Sequence, residues 1–82
     1  MTRQDAQALV GREFVHFKGK RYKLLAVATH SETLEPFVVY QALYGAHGVW
    51  VRPFAMFFED VERDGYRGPR FRLADDRPES DS

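Results

Sequence analysis

The sequence predicts a mainly β domain: a small SH3-like antiparallel barrel of about five strands, with a short N-terminal helix and one 3₁₀ turn. Short runs rich in Val, Phe, Tyr and Leu alternate with turn residues, and the connections suit antiparallel neighbours. The run from Tyr22 to Ala28 is apolar on both parities in its second half, as in a strand that bends between two sheets. The alternative is an open antiparallel sheet packed on the helix.

The chain of 82 residues is long enough for one domain. We expect a single small β domain at 1–73, with the helix at 1–11 appended to it, and a disordered acidic tail at 74–82. Seven Phe, four Tyr and one Trp supply most of the large side chains for its core.

The predicted helix runs from Arg3 to Val10. Thr2 can cap its first turn, Asp5 favours the helix dipole, and Gly11 can end it. Such a short helix must dock on the sheet to be stable.

Five strands are predicted after the helix: Glu13 to Phe17, Arg21 to Thr29, Phe37 to Leu43, Val49 to Arg52, and one near Pro69 to Leu73. The turns between them lie at Lys18-Gly19-Lys20, at Tyr44 to Gly48, and at Asp64-Gly65 followed by Gly68-Pro69. Residues Pro53 to Phe57 suit a single helical or 3₁₀ turn.

Composition excludes several classes of protein. The absence of cysteine excludes a disulfide framework, a thiolate zinc site and a thiol nucleophile. No apolar run reaches signal-peptide or membrane-span length, so we expect a cytoplasmic protein without a membrane partner.

Charge argues against strong nonspecific binding of nucleic acid. The formal net charge is zero, although residues 1–73 carry eleven basic and eight acidic side chains. This excess is small for a nucleic-acid surface. The basic hairpin from Lys18 to Lys23 is best interpreted as solvated charge.

A set of short motifs between Phe14 and Phe71 resembles a known bacterial family. The motifs are His16-Phe17-Lys18-Gly19, Tyr22, His30-Ser31-Glu32-Thr33, Glu35, Val38-Val39-Tyr40, Leu43-Tyr44-Gly45, Trp50-Val51-Arg52-Pro53, Met56-Phe57 and Glu59. In order and spacing they resemble the domain-of-unknown-function family 1653. The resemblance implies no activity, because the family has none to transfer.

Trp50 and Arg52 lie two residues apart on a predicted strand and therefore project from one face. We expect Val49 and Val51 to face the core, which leaves an aromatic plane beside a planar cation on the surface. Alternatively, Trp50 covers a barrel end and Arg52 pairs with Glu32 or Glu35.

The strand register across this hairpin is open. One register sets Gln41 opposite Arg52 and Leu43 opposite Trp50, with Tyr40 and Tyr44 on the other face. A slip of one residue exchanges the partners for Ala42 and Tyr44.

The loop His30-Ser31-Glu32-Thr33-Leu34-Glu35 combines residue types used in catalysis and binding. Adjacent residues cannot converge as a nucleophile, a base and an orienting group, so the loop argues against a catalytic triad. The three histidines also lack metal-ligand spacing with these acids. In the structural alternative, Ser31 or Thr33 caps the turn.

The first functional hypothesis is a binding module that recognises a peptide, a protein surface or a small anionic ligand. Its candidate ligand-binding residues are His30, Ser31, Glu32, Thr33, Glu35, Tyr40, Trp50 and Arg52. The alternatives are a module for single-stranded nucleic acid and a small dimeric enzyme that uses His30 with Glu32 or Glu35. No catalytic residue, metal ligand or cofactor is assigned, and the oligomeric state is open.

Overall fold

The computed structural model describes residues 1–74. Its elements are α1 Arg3–Gln7, β1 Glu13–His16, β2 Arg21–Thr29, β3 Pro36–Ala42, β4 Val49–Pro53, α2 Phe54–Phe57, β5 Asp60–Arg63, β6 Tyr66–Pro69 and β7 Phe71–Leu73. Ala74 is buried, and its amide donates to the Glu13 carbonyl at 2.9 Å. The rest of the predicted disordered tail, at 75–82, lies outside the described residues.

Five strands form one antiparallel sheet in the order β4-β3-β2-β1-β7, and β5 and β6 form a separate hairpin. Within residues 1–74 the larger sheet stays open, with β4 at one edge and β7 at the other. The fold is mainly β with two short helices. The SH3-like barrel is therefore not confirmed, and the alternative of an open antiparallel sheet fits.

A β-bulge explains why β2 is apolar on both parities. Leu24 pairs with Tyr40, whereas Ala26 pairs with the next residue along β3, Val39, so Leu25 is left unpaired. An extra residue in one strand exchanges the two faces of the sheet beyond it. Apolar side chains are consequently needed at even positions before the bulge and at odd positions after it.

The core lies on one face of the large sheet, under α2. Its buried cluster consists of Phe14, Leu24, Val38, Tyr40, Phe57 and Phe71. The Phe57 ring, from α2, stacks on the Phe71 ring with centroids 4.1 Å apart and planes 6° apart. A single helical turn after Pro53 thus fills the centre of the core, at the place where the sequence predicted such a turn.

Helix α1 begins as predicted but ends early. Thr2 and Asp5 form a reciprocal capping box, with N–O distances of 3.0 and 3.1 Å. The helix ends at Gln7 instead of Val10, and Gly11, at a φ of 92°, donates its amide to the Leu24 carbonyl. The chain leaves the helix early because these backbone groups bond to β2.

The sequence identified a turn at Asp64-Gly65 but not the strands on either side of it. Both turn residues have positive φ, 51° and 83°, and Arg63 pairs with Tyr66 across the turn. This is the geometry that an Asp-Gly dipeptide favours in a two-residue hairpin. The strands β5 and β6 were missed because they are mostly polar and exposed, with Val61 their one buried residue.

Candidate functional site

Trp50 and Arg52 lie on the core-facing side of β4, not on the side that the sequence predicted. Trp50 pairs with Tyr40 and Arg52 pairs with Val38, both buried residues of β3. Residues directly opposite each other in an antiparallel pair project to the same face. Val49 and Val51 point away and are 57% and 62% exposed, so the prediction that the valines face the core is wrong.

Both registers considered for the β3–β4 hairpin are also wrong. Gln41 pairs with Val49, and the connection is longer than Gly45 to Gly48 alone. The Gln41 side-chain amide donates to the His47 carbonyl at 3.1 Å, and the Ala42 amide donates to the Gly48 carbonyl at 2.9 Å. These bonds join the end of β3 to the turn. In the resulting register Tyr40 pairs with Trp50, and both side chains project to the same face.

Five side chains line an open pocket of about 220 Å³ beside the core: Tyr22, Tyr40, Tyr44, Trp50 and Arg52. We call it the tyrosine–arginine pocket. The sequence prediction included Tyr40, Trp50 and Arg52 but missed Tyr22 and Tyr44. Tyr22 lies two residues before Leu24 on β2, so period-2 alternation was the signal that could have found it. Tyr44 lies in the loop between β3 and β4, where residue spacing does not predict the direction of a side chain.

Arg52 is held in the pocket by contacts on two sides. Its Nε donates to the Tyr40 hydroxyl at 3.2 Å, and its Cζ lies 5.7 Å from the centre of the Phe71 ring. Within residues 1–74 it forms no ion pair, so the predicted alternative of a pair with Glu32 or Glu35 is not seen. Hydrogen bonding and ring contact orient the guanidinium, and its charge has no anionic partner among residues 1–74.

Tyr22 and Tyr44 form a second polar group in the pocket. Their hydroxyl oxygens are 2.7 Å apart, and the rings meet edge to face with centroids 5.6 Å apart. Burial, followed by the hydrogen bond to Tyr44, raises the pKa of Tyr22 to about 12. Tyr22 therefore remains a neutral hydrogen-bonding group at physiological pH.

A further cation lies at the rim. The Lys20 ammonium is 4.7 Å from the centre of the Tyr44 ring. The residues that line the pocket include no carboxylate. The local charge is thus positive, although the whole chain has a net charge of zero.

The loop from His30 to Glu35 does not contribute to this pocket. His30 Nδ1 accepts hydrogen bonds from the amides of Glu32 and Thr33, at 3.1 and 3.2 Å. The Thr33 hydroxyl accepts from the Glu35 amide at 3.2 Å, and Ser31 is exposed. These bonds close the β2–β3 turn as the structural alternative expected, with His30 as an additional cap that the sequence did not predict.

Glu35 is the member of that loop that lines a cavity. With Pro36, Pro53, Phe54 and Ala55 it borders a second open pocket of about 170 Å³. Within the described part of the chain, no group of three or more His, Cys, Asp or Glu side chains could hold a metal ion. Residues 1–74 also include no helix that is long and apolar enough to cross a membrane.

His16, next to the core, is a titratable residue outside the set of predicted ligand-binding residues. Its Nδ1 accepts from the Lys18 amide at 3.1 Å, and its ring meets the Phe71 ring edge to face at 4.9 Å. Burial is the largest cause of a lowered pKa for His16, followed by the positive charges of Arg52, Arg70 and Lys18.

The lowered pKa of His16 predicts a specific pH dependence of stability. Below the ordinary value of 6.5, the unfolded chain takes up a proton on His16 more readily than the folded chain does. The free energy of unfolding should therefore fall as the pH drops through 6.5. Urea unfolding at several pH values measures this free energy. It should depend less on pH in His16→Gln than in the wild type. An NMR titration that gives His16 a pKa of 6.5 or above would contradict this expectation.

Comparison with known proteins assigns the chain to a family. The chain is similar to a protein from Bordetella bronchiseptica whose crystal structure is known, with a TM-score of 0.75 and 31% sequence identity over 89% of this chain and 92% of that one. No curated protein matches the chain. The family described as "Protein of unknown function (DUF1653)" matches residues 12–73, which include every residue that lines the tyrosine–arginine pocket. The chain therefore belongs to the DUF1653 family, as the motifs between Phe14 and Phe71 predicted.

Proposed function

We propose that this protein is a binding module that holds a small anionic ligand, or an anionic group on a peptide or protein surface, in the tyrosine–arginine pocket. The observation that carries the proposal is Arg52: a half-buried guanidinium, without an ion pair among residues 1–74, in a pocket lined by no carboxylate. A charge in such a position attracts an anion because little else nearby balances it.

The orientation of Arg52 suits recognition of a carboxylate or phosphate. Its Nε is occupied by the Tyr40 hydroxyl, while its two terminal amino groups have no hydrogen-bond partner within the described residues. Two parallel N–H groups of a guanidinium can bond two oxygens of one anion. Because Tyr40 already fixes the side chain, little conformational entropy remains to be lost on binding.

Trp50 supplies the apolar wall of the site. It is 57% exposed although it projects from the core-facing side of the sheet. An exposed indole beside an oriented arginine is a combination that recognition surfaces use to stack planar groups. We therefore assign the ligand a planar or apolar part attached to its anionic group.

The alternative of single-stranded nucleic acid would use the same stacking wall. It would also need a track of cations along the backbone of several nucleotides. The pocket offers Arg52 and, at its rim, Lys20, which suits one anionic group better than a chain of them. We therefore favour the small anionic ligand.

A titration followed by NMR tests the proposal. Trp50 is the one tryptophan of the chain, so its indole N–H signal is assigned without further labelling. Benzoate and phenyl phosphate should shift this signal in a saturable way, whereas the neutral isostere benzamide should not. If benzamide shifts the signal as strongly as both anions, or if no compound shifts it, the pocket is not an anion site.

A further inference from the structure

Resting on the function proposed above, we propose that the anion is the doubly charged phosphate of a monoester borne on a planar ring, in preference to a singly charged group. Three features of the pocket favour this ligand: its hydrogen-bond donors, the charges around it and its size.

The pocket offers enough donors for an anion with three free oxygens. Tyr40 accepts from Arg52 Nε, so the hydroxyl proton of Tyr40 can be donated to a ligand. In the Tyr22–Tyr44 pair one proton lies between the two oxygens, and the other can also be donated. Two phenol protons and the two amino groups of Arg52 therefore face the pocket. A carboxylate has two free oxygens, whereas a phosphate monoester has three and can therefore use more of these donors.

The charges near the pocket favour a second negative charge. Arg52 lies within it, and the Lys20 ammonium lies against the Tyr44 ring at its rim. Burial is the largest cause of the lowered pKa of His16, and the positive charges of Arg52, Arg70 and Lys18 add to it. A charge at the rim acts over roughly the Debye length, about 8 Å at physiological ionic strength.

The volume limits the ligand to one ring and its phosphate. Sites for drug-sized ligands usually occupy about 300 to 1,000 Å³. The pocket measures about 220 Å³, is open to solvent, and has the exposed Trp50 in its lining. The phosphate can meet Arg52 and the phenols while the ring stacks on Trp50.

The experiment compares phenyl phosphate with phenyl sulfate at about pH 7.5, using the Trp50 indole signal. Both esters present three free oxygens on the same ring, but the phosphate carries nearly two negative charges at this pH and the sulfate carries one. We expect phenyl phosphate to bind at least about tenfold more tightly, which corresponds to about 1.4 kcal/mol. Blocked phosphotyrosine, an aryl ester, should bind like phenyl phosphate, whereas adenosine 5′-monophosphate, whose phosphate is borne on ribose, should bind more weakly.

Matched variants test the contribution of the rim. Lys20→Gln should reduce the preference for phosphate over sulfate by about threefold, the size expected for an exposed charge. Lys23→Gln removes the same charge from the opposite face of the sheet, where Lys23 pairs with Gln41, and should leave the preference unchanged.

Each outcome decides between the two proposals. If benzoate and phenyl sulfate bind as tightly as phenyl phosphate, the pocket recognises a single charge: the phosphate proposal is then wrong and the anion-binding function stands. If none of the three anions binds, both are wrong. If phenyl phosphate binds at least about tenfold more tightly than phenyl sulfate and Lys20→Gln narrows this advantage, the phosphate proposal is supported.

Discussion

Replacing Arg52 by glutamine is expected to weaken anion binding about 10- to 100-fold, the range for loss of charge-assisted hydrogen bonds. The variant keeps a hydrogen-bond donor near the position of Nε but lacks the charge and the two terminal amino groups of the guanidinium. The affinity for phenyl phosphate, measured from the Trp50 indole signal, gives the result directly.

Two controls separate the charge of Arg52 from its geometry. Arg52→Lys retains the charge but cannot bond two oxygens in parallel, so it should recover only part of the affinity. Arg72→Gln removes an arginine from the opposite face of the sheet, where Arg72 pairs with Val15, and should bind like the wild type.

The stability of the Arg52 variant must be measured as well, because Arg52 lies against Phe71 and bonds Tyr40. We expect the free energy of unfolding to change by about 1 kcal/mol or less, the typical contribution of one such hydrogen bond. A stable, folded Arg52→Gln protein that binds phenyl phosphate with unchanged affinity would remove Arg52 from the site.

Replacing Phe57 by alanine is expected to produce the largest loss of stability. The Phe57 side chain is fully buried and stacks on Phe71, and it also meets the rings of Phe14 and Tyr40 at 5.5 and 5.3 Å. Removing a buried phenyl ring usually costs about 3 to 5 kcal/mol. A domain at the low end of the usual range, with about 5 kcal/mol of total stability, would then be close to unfolding.

Met56→Ala is the matched control for this prediction. Met56 occupies the same helical turn but is 42% exposed. Its truncation should change the free energy of unfolding by about 0.5 kcal/mol or less. Chemical unfolding followed by far-UV circular dichroism measures both variants. Equal losses for the two would mean that the Phe57–Phe71 stack is not the centre of the core.

Much of the local structure could be predicted because its causes are local. The capping box of Thr2 and Asp5, the turn at Asp64-Gly65 and the helical turn after Pro53 each depend on residues close in sequence. The four strands from β1 to β4 were predicted to within a few residues, because β-branched and aromatic runs between turn residues are a strong signal.

The barrel was predicted from a pattern that has two possible causes. Apolar residues on both parities of β2 are consistent with a strand buried on both faces, but also with a bulge that exchanges the faces. The structure shows the bulge at Leu25. The pairing of β2 with its partner strand decides between double-sided burial and a bulge. The residue pattern of β2 alone contains no information about that pairing.

In the candidate site, too, some features could be predicted from the sequence and others depend on the tertiary structure. The sequence by itself determined the family, the shared face of Trp50 and Arg52, and the absence of any cysteine chemistry. Only the tertiary structure decided that this face is the one beside the core, that Tyr22 and Tyr44 join it, and that the His30 to Glu35 loop does not. The alternation of side chains is a property of one strand and can be predicted from its sequence. Which face lies beside the core depends on the pairing of β4 with Tyr40 and Val38 of β3. The hydrogen bonds of the β3–β4 connection set that register.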